Sequence, residues 1–260
     1  MKWCRFRAGR KVRYGIVEED RVVEVSGSPF ESCTVTSTSY PLSEVKLLVP
    51  VTPPTFYAAG INYPEHITWA AQRVGTQPNI PKKADVGYRA VNALIAHEEN
   101  IIIPRDSSGE FQYEGELVAV IGKKAKHLSK EEALSCVLGY TIGNDVSERS
   151  WQRQDRTLWR AKNSDTFKPM GPWIATDLDP TNLETTIRLS GKVVSQFNTG
   201  TMIFNTATYI SEITKYITLY PGDVLWMGTE GATQNMKPGD VIEIEISGIG
   251  TLRNYVVGEE

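Results

Sequence analysis

In the stretch Tyr113-Glu114-Gly115-Glu116-Leu117-Val118-Ala119-Val120-Ile121-Gly122, an uninterrupted apolar run from Leu117 to Ile121 follows two glutamates separated by a glycine. Such a run is the mark of a strand buried on both faces. Side chains alternate along a strand, so Glu114 and Glu116 point the same way. Gly115 between them lets another group approach closely. Two carboxylates at the mouth of a buried strand repel one another unless one is protonated or a cation sits between them. A hard divalent ion held by oxygen ligands meets that need. Two glutamates on a solvated strand end meet it as well, and the pair alone does not choose.

Downstream, Ser129-Lys130-Glu131-Glu132 has a capping-box pattern and predicts a helix running to Leu138, stopped by Gly139. Tyr140 to Val146 reads as a strand ending in Asn144-Asp145. Asp145 lies 29 positions after Glu116. If the two strands pair, it brings a third carboxylate to the same point; otherwise it is a turn former. Ser147 to Gln152 follows as a helical turn, in which Arg149 balances nearby acids or faces an anionic substrate. The polar stretch Arg160 to Pro172 suits a loop that lines a site, with Lys162 in it as an electrophilic partner to a metal centre.

Upstream, a strand ends at Gly60, Asn62 starts a turn, and Pro64 opens a helix reaching about Val74. That helix carries His66 in its first turn. His97 and His127, the other two histidines, sit beside charged residues and read as surface groups. Residues 75–87 form a loop that serves either as an active-site lid or as a plain surface insertion. Ala90–Ala96 and Ile101–Pro104 resume a β pattern. Toward the C-terminus, 186–196 predicts a hairpin turning at Ser190-Gly191. Asn205 caps a helix to about Tyr216 whose Tyr209, Ile210, Ile213 and Ile217 form a core stripe. Strands at 224–227, 241–246 and 252–257 follow. Gly228-Thr229-Glu230-Gly231 is a tight loop whose hydroxyl and N–H groups suit a carboxylate. No glycine-rich phosphate loop precedes a helix.

The chain has 260 residues, with 28 Lys+Arg against 31 Asp+Glu. That length allows one large domain, or a small one beside it, and the slightly acidic balance gives no electrostatic footprint for nucleic acid. No apolar stretch is long enough to span a bilayer, and the first residues lack a signal peptide. Cys4, Cys33 and Cys136 are odd in number and scattered, as free thiols in the cytoplasm are. Residues 1–50 read as a small β domain with short strands at 3–6, 14–17 and 22–25. The proline cluster at 50–54 joins it to a main domain over 55–260.

Taken in order, Gly60-Ile61-Asn62-Tyr63…His66, Tyr113-Glu114-Gly115-Glu116-Leu117, Asn144-Asp145-Val146-Ser147-Glu148-Arg149, Lys162…Asp165-Thr166-Phe167…Gly171-Pro172-Trp173 and Gly228-Thr229-Glu230-Gly231 resemble the fumarylacetoacetate hydrolase superfamily. Each motif alone is weak, and five in this order are specific. The resemblance implies a mixed, β-rich α+β fold of stacked and rolled β-sheets with short helices, a small N-terminal β domain and a homodimer. By position, Glu114, Glu116 and Asp145 would be the metal ligands, for Mg2+ with Mn2+ or Ca2+ as alternatives. Lys162 and His66 would be catalytic, His66 as general base on a lid, and Arg149, Gln152 and Thr229 would bind substrate. The partner implied is a small 1,3-diketo or 2-oxo acid, with neither nucleic acid nor membrane involved. The activity implied is Mg2+-dependent hydrolysis of a C–C bond in an acylpyruvate. That reaction needs water activated at a carbonyl and positive charge to receive the electrons of the broken bond.

One departure bears on the reaction. Hydrolytic members of the family commonly carry a Glu three residues after the histidine, on the same helical face. Trp69 stands there in this chain, and Glu65 points about 100° away on the helix. The alternatives are an isomerase or decarboxylase of a 2-hydroxy-dienoate or 2-oxo-enoate from aromatic catabolism, or a member that binds a diketo acid without turning it over.

Overall fold

In the computed structural model residues 1–232 and 234–260 are described, with only the backbone for residues 73 and 74. The fold is strand-rich with short helices. Four N-terminal strands, β1 (Lys2–Ala8), β2 (Lys11–Glu18), β3 (Arg21–Ser26) and β4 (Thr34–Pro41), form a meander. Then come β5 (Phe56–Ala59), α1 (Pro64–Val74), β6 (Val86–Tyr88), β7 (Asn100–Ile103), β8 (Gly115–Ile121) and β9 (Val137–Asn144). The short helix α2 (Arg149–Gln152) and β10 (Lys168–Ala175) follow. The hairpin β11 (Glu184–Leu189) and β12 (Lys192–Asn198), α3 (Thr206–Tyr216), β13 (Val224–Trp226), β14 (Val241–Ile246) and β15 (Gly250–Gly258) complete the chain.

The large sheet runs β4-β3-β2-β1-β10-β9-β8-β13-β5-β6, and a second sheet runs β12-β11-β14-β15-β7. Strand β8 is buried at all seven positions, so its apolar run does lie between two layers. Leu117, Ala119 and Ile121 pack toward the second sheet with Ile187, Ile244 and Ile246. Val118 and Val120 pack on the other face with Phe56, Met170, Ile174 and Trp226. Gly115 is where the second sheet comes nearest: a Cβ there would meet Ile187 Cδ1 at 2.8 Å and Ile244 Cγ2 at 3.0 Å.

Helix α1 starts at Pro64 and ends on Gly75, which takes the left-handed conformation that glycine adopts without cost. In α3, Asn205 accepts a hydrogen bond from Thr208 N at its N-cap, the cap its side chain suits. The hairpin of β11 and β12 turns at Ser190-Gly191. The helix expected over 129–138 does not form. Ser129 and Glu132 do exchange capping hydrogen bonds, 3.2 Å and 3.3 Å long. Only a 3-10 turn follows, Ala133–Cys136, because Val137 is already paired with Ile121 at the start of β9. Sheet pairing of a β-branched residue overrides the local helix signal. Cys4 and Cys136 are buried and Cys33 exposed, all as free thiols. No helix among the described residues is long and apolar enough to cross a membrane.

Candidate metal centre

Strand direction brings the site together. β8 is antiparallel to β9 and to β13, and β13 is parallel to β5. The start of β8 therefore lies beside the ends of the other three. Glu114 and Glu116 stand at that start. Asp145 follows β9, whose register places Asn144 opposite Gly115 and Gly143 opposite Glu116. Asp145 N donates to Glu114 O at 2.9 Å, and Glu114 N donates to Asn144 Oδ1 at 2.9 Å. Gly228 and Thr229 follow β13. Asn62, after β5, ties two loops together through Phe204 O at 3.0 Å and Met227 O at 2.9 Å. This fixes the entry to α1 and with it His66.

Glu114, Glu116 and Asp145 are buried, and one carboxylate oxygen from each lies within 4.8 Å of the others. Their surroundings differ. Glu114 pairs with Lys162 at 2.5 Å and with Arg149 at 2.7 Å. Burial alone would raise its carboxyl, but these two cations hold it down at about 2. Asp145 pairs with Lys168 at 2.6 Å, and with Lys162 and Arg89 at 2.9 Å each. Against the effect of burial, they keep it well below the carboxylate range. Glu116 accepts a 2.7 Å hydrogen bond from Gly228 N, and among the described residues it pairs with no cation. Burial, then the charges of Asp145 and Glu114, push its carboxyl up to about 8. A hard cation among these oxygens is what would let Glu116 ionise. Three converging carboxylates fit Mg2+, Mn2+ or Ca2+, which take oxygen ligands and leave further positions for water or substrate.

His66 is buried beside the acids. Its Nδ1 lies 3.1 Å from Thr229 O. A carbonyl only accepts, so Nδ1 carries the proton and Nε2 keeps a lone pair. Burial lowers its basicity, and Arg149 and Lys162 add to that against the charge of Glu114. Trp69 meets the imidazole edge-on at 5.4 Å between ring centres. Glu65 is exposed, and among the described residues no carboxylate bonds to His66. His127 is exposed and His97 half-buried, both away from this cavity.

A cavity of about 200 Å3 lies over the acids, and His66, Gln152, Lys162 and Thr229 are among the residues lining it. The structure thus gathers the named residues at one place, with Arg149 set behind the cavity wall. Two arms of the Arg149 fork hydrogen-bond to protein, Nε donating to Gln112 Oε1 at 2.8 Å and Nη1 to Gln152 Oε1 at 2.9 Å; Nη2 lies 2.7 Å from Glu114 Oε1 as an ion pair without an aligned hydrogen bond. Arg89, Lys168 and Gln112 were not legible as part of the site. Arg89 reaches Asp145 across 56 positions of chain, and nothing local marks it. Lys168 left one trace, a lysine at the head of an apolar strand, which burial permits only with a partner.

Residues 55–257 match the family model described as Fumarylacetoacetate (FAA) hydrolase C-terminal, and residues 1–50 match one described as Rv2993c-like, N-terminal. The chain is 35% identical over 280 residues to a 2,4-didehydro-3-deoxy-L-rhamnonate hydrolase of a Sphingomonas species, covering 98% of this chain and 96% of that protein. It is 36% identical over 229 residues to the mitochondrial oxaloacetate tautomerase Fahd2a of Rattus norvegicus, covering 84% of this chain and 71% of that one. The solved structure of 5-carboxymethyl-2-hydroxymuconate delta-isomerase from Mycobacterium smegmatis superposes with a TM-score of 0.90 over 100% of both chains, at 34% identity. These relatives share one scaffold and carry different reactions, so the choice of reaction rests on the residues around the acids.

Proposed function

The chain belongs to the fumarylacetoacetate hydrolase family, and from that premise we propose that it is a divalent-cation-dependent enzyme acting on a 2-oxo acid through its enol or enolate. The reaction the geometry supports best is proton transfer at the carbon next to the keto group, as keto–enol tautomerisation or double-bond isomerisation. The observation that carries this reading is the pair of neighbours of His66: a backbone carbonyl on Nδ1 and the Trp69 ring beside it. Glu114, Glu116 and Asp145 would hold the cation, Mg2+ first and Mn2+ or Ca2+ as alternatives, which supplies Lewis-acid polarisation of the 2-oxo and carboxylate oxygens.

The chain's own residues do the rest. His66 Nε2 takes a proton from C3 of the keto acid and returns it to oxygen, or to a more distant carbon of a conjugated acid. Thr229 O holds the imidazole in the tautomer that can do this. The Lys162 ammonium, between Glu114 and Asp145, adds positive charge where the 2-oxo oxygen gains negative charge in a buried site. Gln152 and Thr229 orient the acid from the cavity wall.

A second reading is hydrolysis of an acylpyruvate-type 1,3-diketo acid. One relative that covers 98% of this chain is named a hydrolase, which favours it. That reaction requires His66 to activate water without a carboxylate partner. Paired assays on one set of acids separate the two: ultraviolet absorbance follows enol–keto conversion, and a coupled assay follows pyruvate release. The expected result is conversion without pyruvate, lost about 100-fold or more in His66→Ala. Pyruvate release matching substrate loss would replace the first reading with the second. Inactivity of the wild type with Mg2+ and with Mn2+ would remove both.

A further inference from the structure

We propose that Trp69 sets substrate choice by making the far wall of the cavity uncharged. The substrate is then a 2-oxo acid whose distal group is flat or aliphatic and does not end in a second carboxylate. This rests on reading the site as a 2-oxo-acid site.

Among the described residues, Arg149 is the positive group on the Trp69 side, buried at 4% exposure. Two arms of its fork donate hydrogen bonds to Gln112 and Gln152, and the third, Nη2, has no aligned hydrogen bond but lies 2.7 Å from Glu114 Oε1, which balances its charge. Its Cζ lies 5.4 Å from the centre of the Trp69 ring, so the guanidinium meets the indole, as cation–π contacts do. Lys162, Lys168 and Arg89 all pair with acids of the metal centre. Lys83 lines a neighbouring cavity along α1 and not this one. Away from the acids, what lines the cavity is Ile61, Trp69, Ala70 and Leu158, with Gln152. Because the Gln152 carbonyl accepts from Arg149, its NH2 is the group left to donate, and it suits a neutral carbonyl or hydroxyl. A terminal carboxylate placed here would lose its hydration and find no cation among the described residues to replace it.

The test uses acids matched in chain length and differing at the far end: 2-oxohexanoate against 2-oxohexanedioate. Each is titrated into the Mg2+-loaded protein by calorimetry, with oxalate as a probe that fills only the metal end. The expected result is 2-oxohexanoate binding at least ~10-fold tighter than the dioate, since a buried charge without a partner is strongly disfavoured. Trp69→Ala should narrow that ratio, and Trp69→Arg should invert it, while oxalate affinity stays within about twofold in both. A wild-type preference for the dioate, or a ratio unmoved by both substitutions, overturns the proposal even though oxalate binds. Failure of oxalate to bind the wild type would instead remove the 2-oxo-acid reading, and this inference with it.

Discussion

Glu116 differs from its two neighbours in one respect: among the described residues no cation forms an ion pair with it, and the charge of Lys162 acts on it only weakly against burial and the two other acids. Glu114 and Asp145 have arginine and lysine partners whatever else binds. Glu116 is therefore the acid most dependent on a metal ion and the most informative to change. In Glu116→Gln the hydrogen bond from Gly228 N can persist on the amide oxygen, so the fold should stay intact. Mg2+ affinity should fall about 100-fold or more. Calorimetric titration beside a thermal melt checks both halves; unchanged affinity would remove Glu116 from the ligand set. At this scale the convergence of Glu114, Glu116 and Asp145 was readable, because strand alternation and one strand pairing are enough to produce it. The cations were not. Arg89 and Lys168 come to Asp145 from loops and strand ends that only the tertiary fold brings near.

Among the elements, β8 and β9 carry the site, and their fit depends on a glycine opposite Glu116. A Cβ on Gly143 would come within 2.5 Å of the Trp226 ring. The ring is fully buried and hemmed in by Phe56, whose centre is 4.9 Å away. Gly143→Ala should cost about 1–3 kcal/mol by overpacking and disturb the strand end that places Asp145. Urea denaturation gives the loss, and Mn2+ titration the effect on the site; wild-type values for both would show the contact to be slack. Most elements were legible from pattern. The buried run at 117–121, the Asn205 cap and the turn at Ser190-Gly191 each act locally. The stretch 129–138 was not, because a helix cap there competes with pairing between Val137 and Ile121, which are distant in sequence.

Across the molecule, the N-terminal strands continue the sheet that bears the site. β1 pairs with β10 through Lys2↔Ala175 and Trp3↔Ile174. Trp3 is buried in one cluster with Met170, Ile174 and Trp226. Trp3→Ala should destabilise the whole chain by about 3–5 kcal/mol, read by urea denaturation; a loss under about 1 kcal/mol would mean the N-terminal strands are loosely attached. The same view explains the charge of the centre. Three carboxylates face Arg89, Arg149, Lys162 and Lys168, so a divalent ion enters a pocket already supplied with positive charge. An anionic 2-oxo acid reduces the excess positive charge, and each should strengthen binding of the other. The strand-rich class was readable from the spacing of short β runs. The continuity of one sheet through β1 and β10 was not, since no local pattern links residues 3 and 174.

The central claim is that Glu114, Glu116 and Asp145 hold a divalent ion together. Crystals grown with Mn2+ and examined by anomalous scattering test it most directly. The expected result is a single strong peak in contact with oxygens of all three side chains. A peak elsewhere, or none while those acids remain tied to Lys162, Lys168 and Arg89, would contradict it.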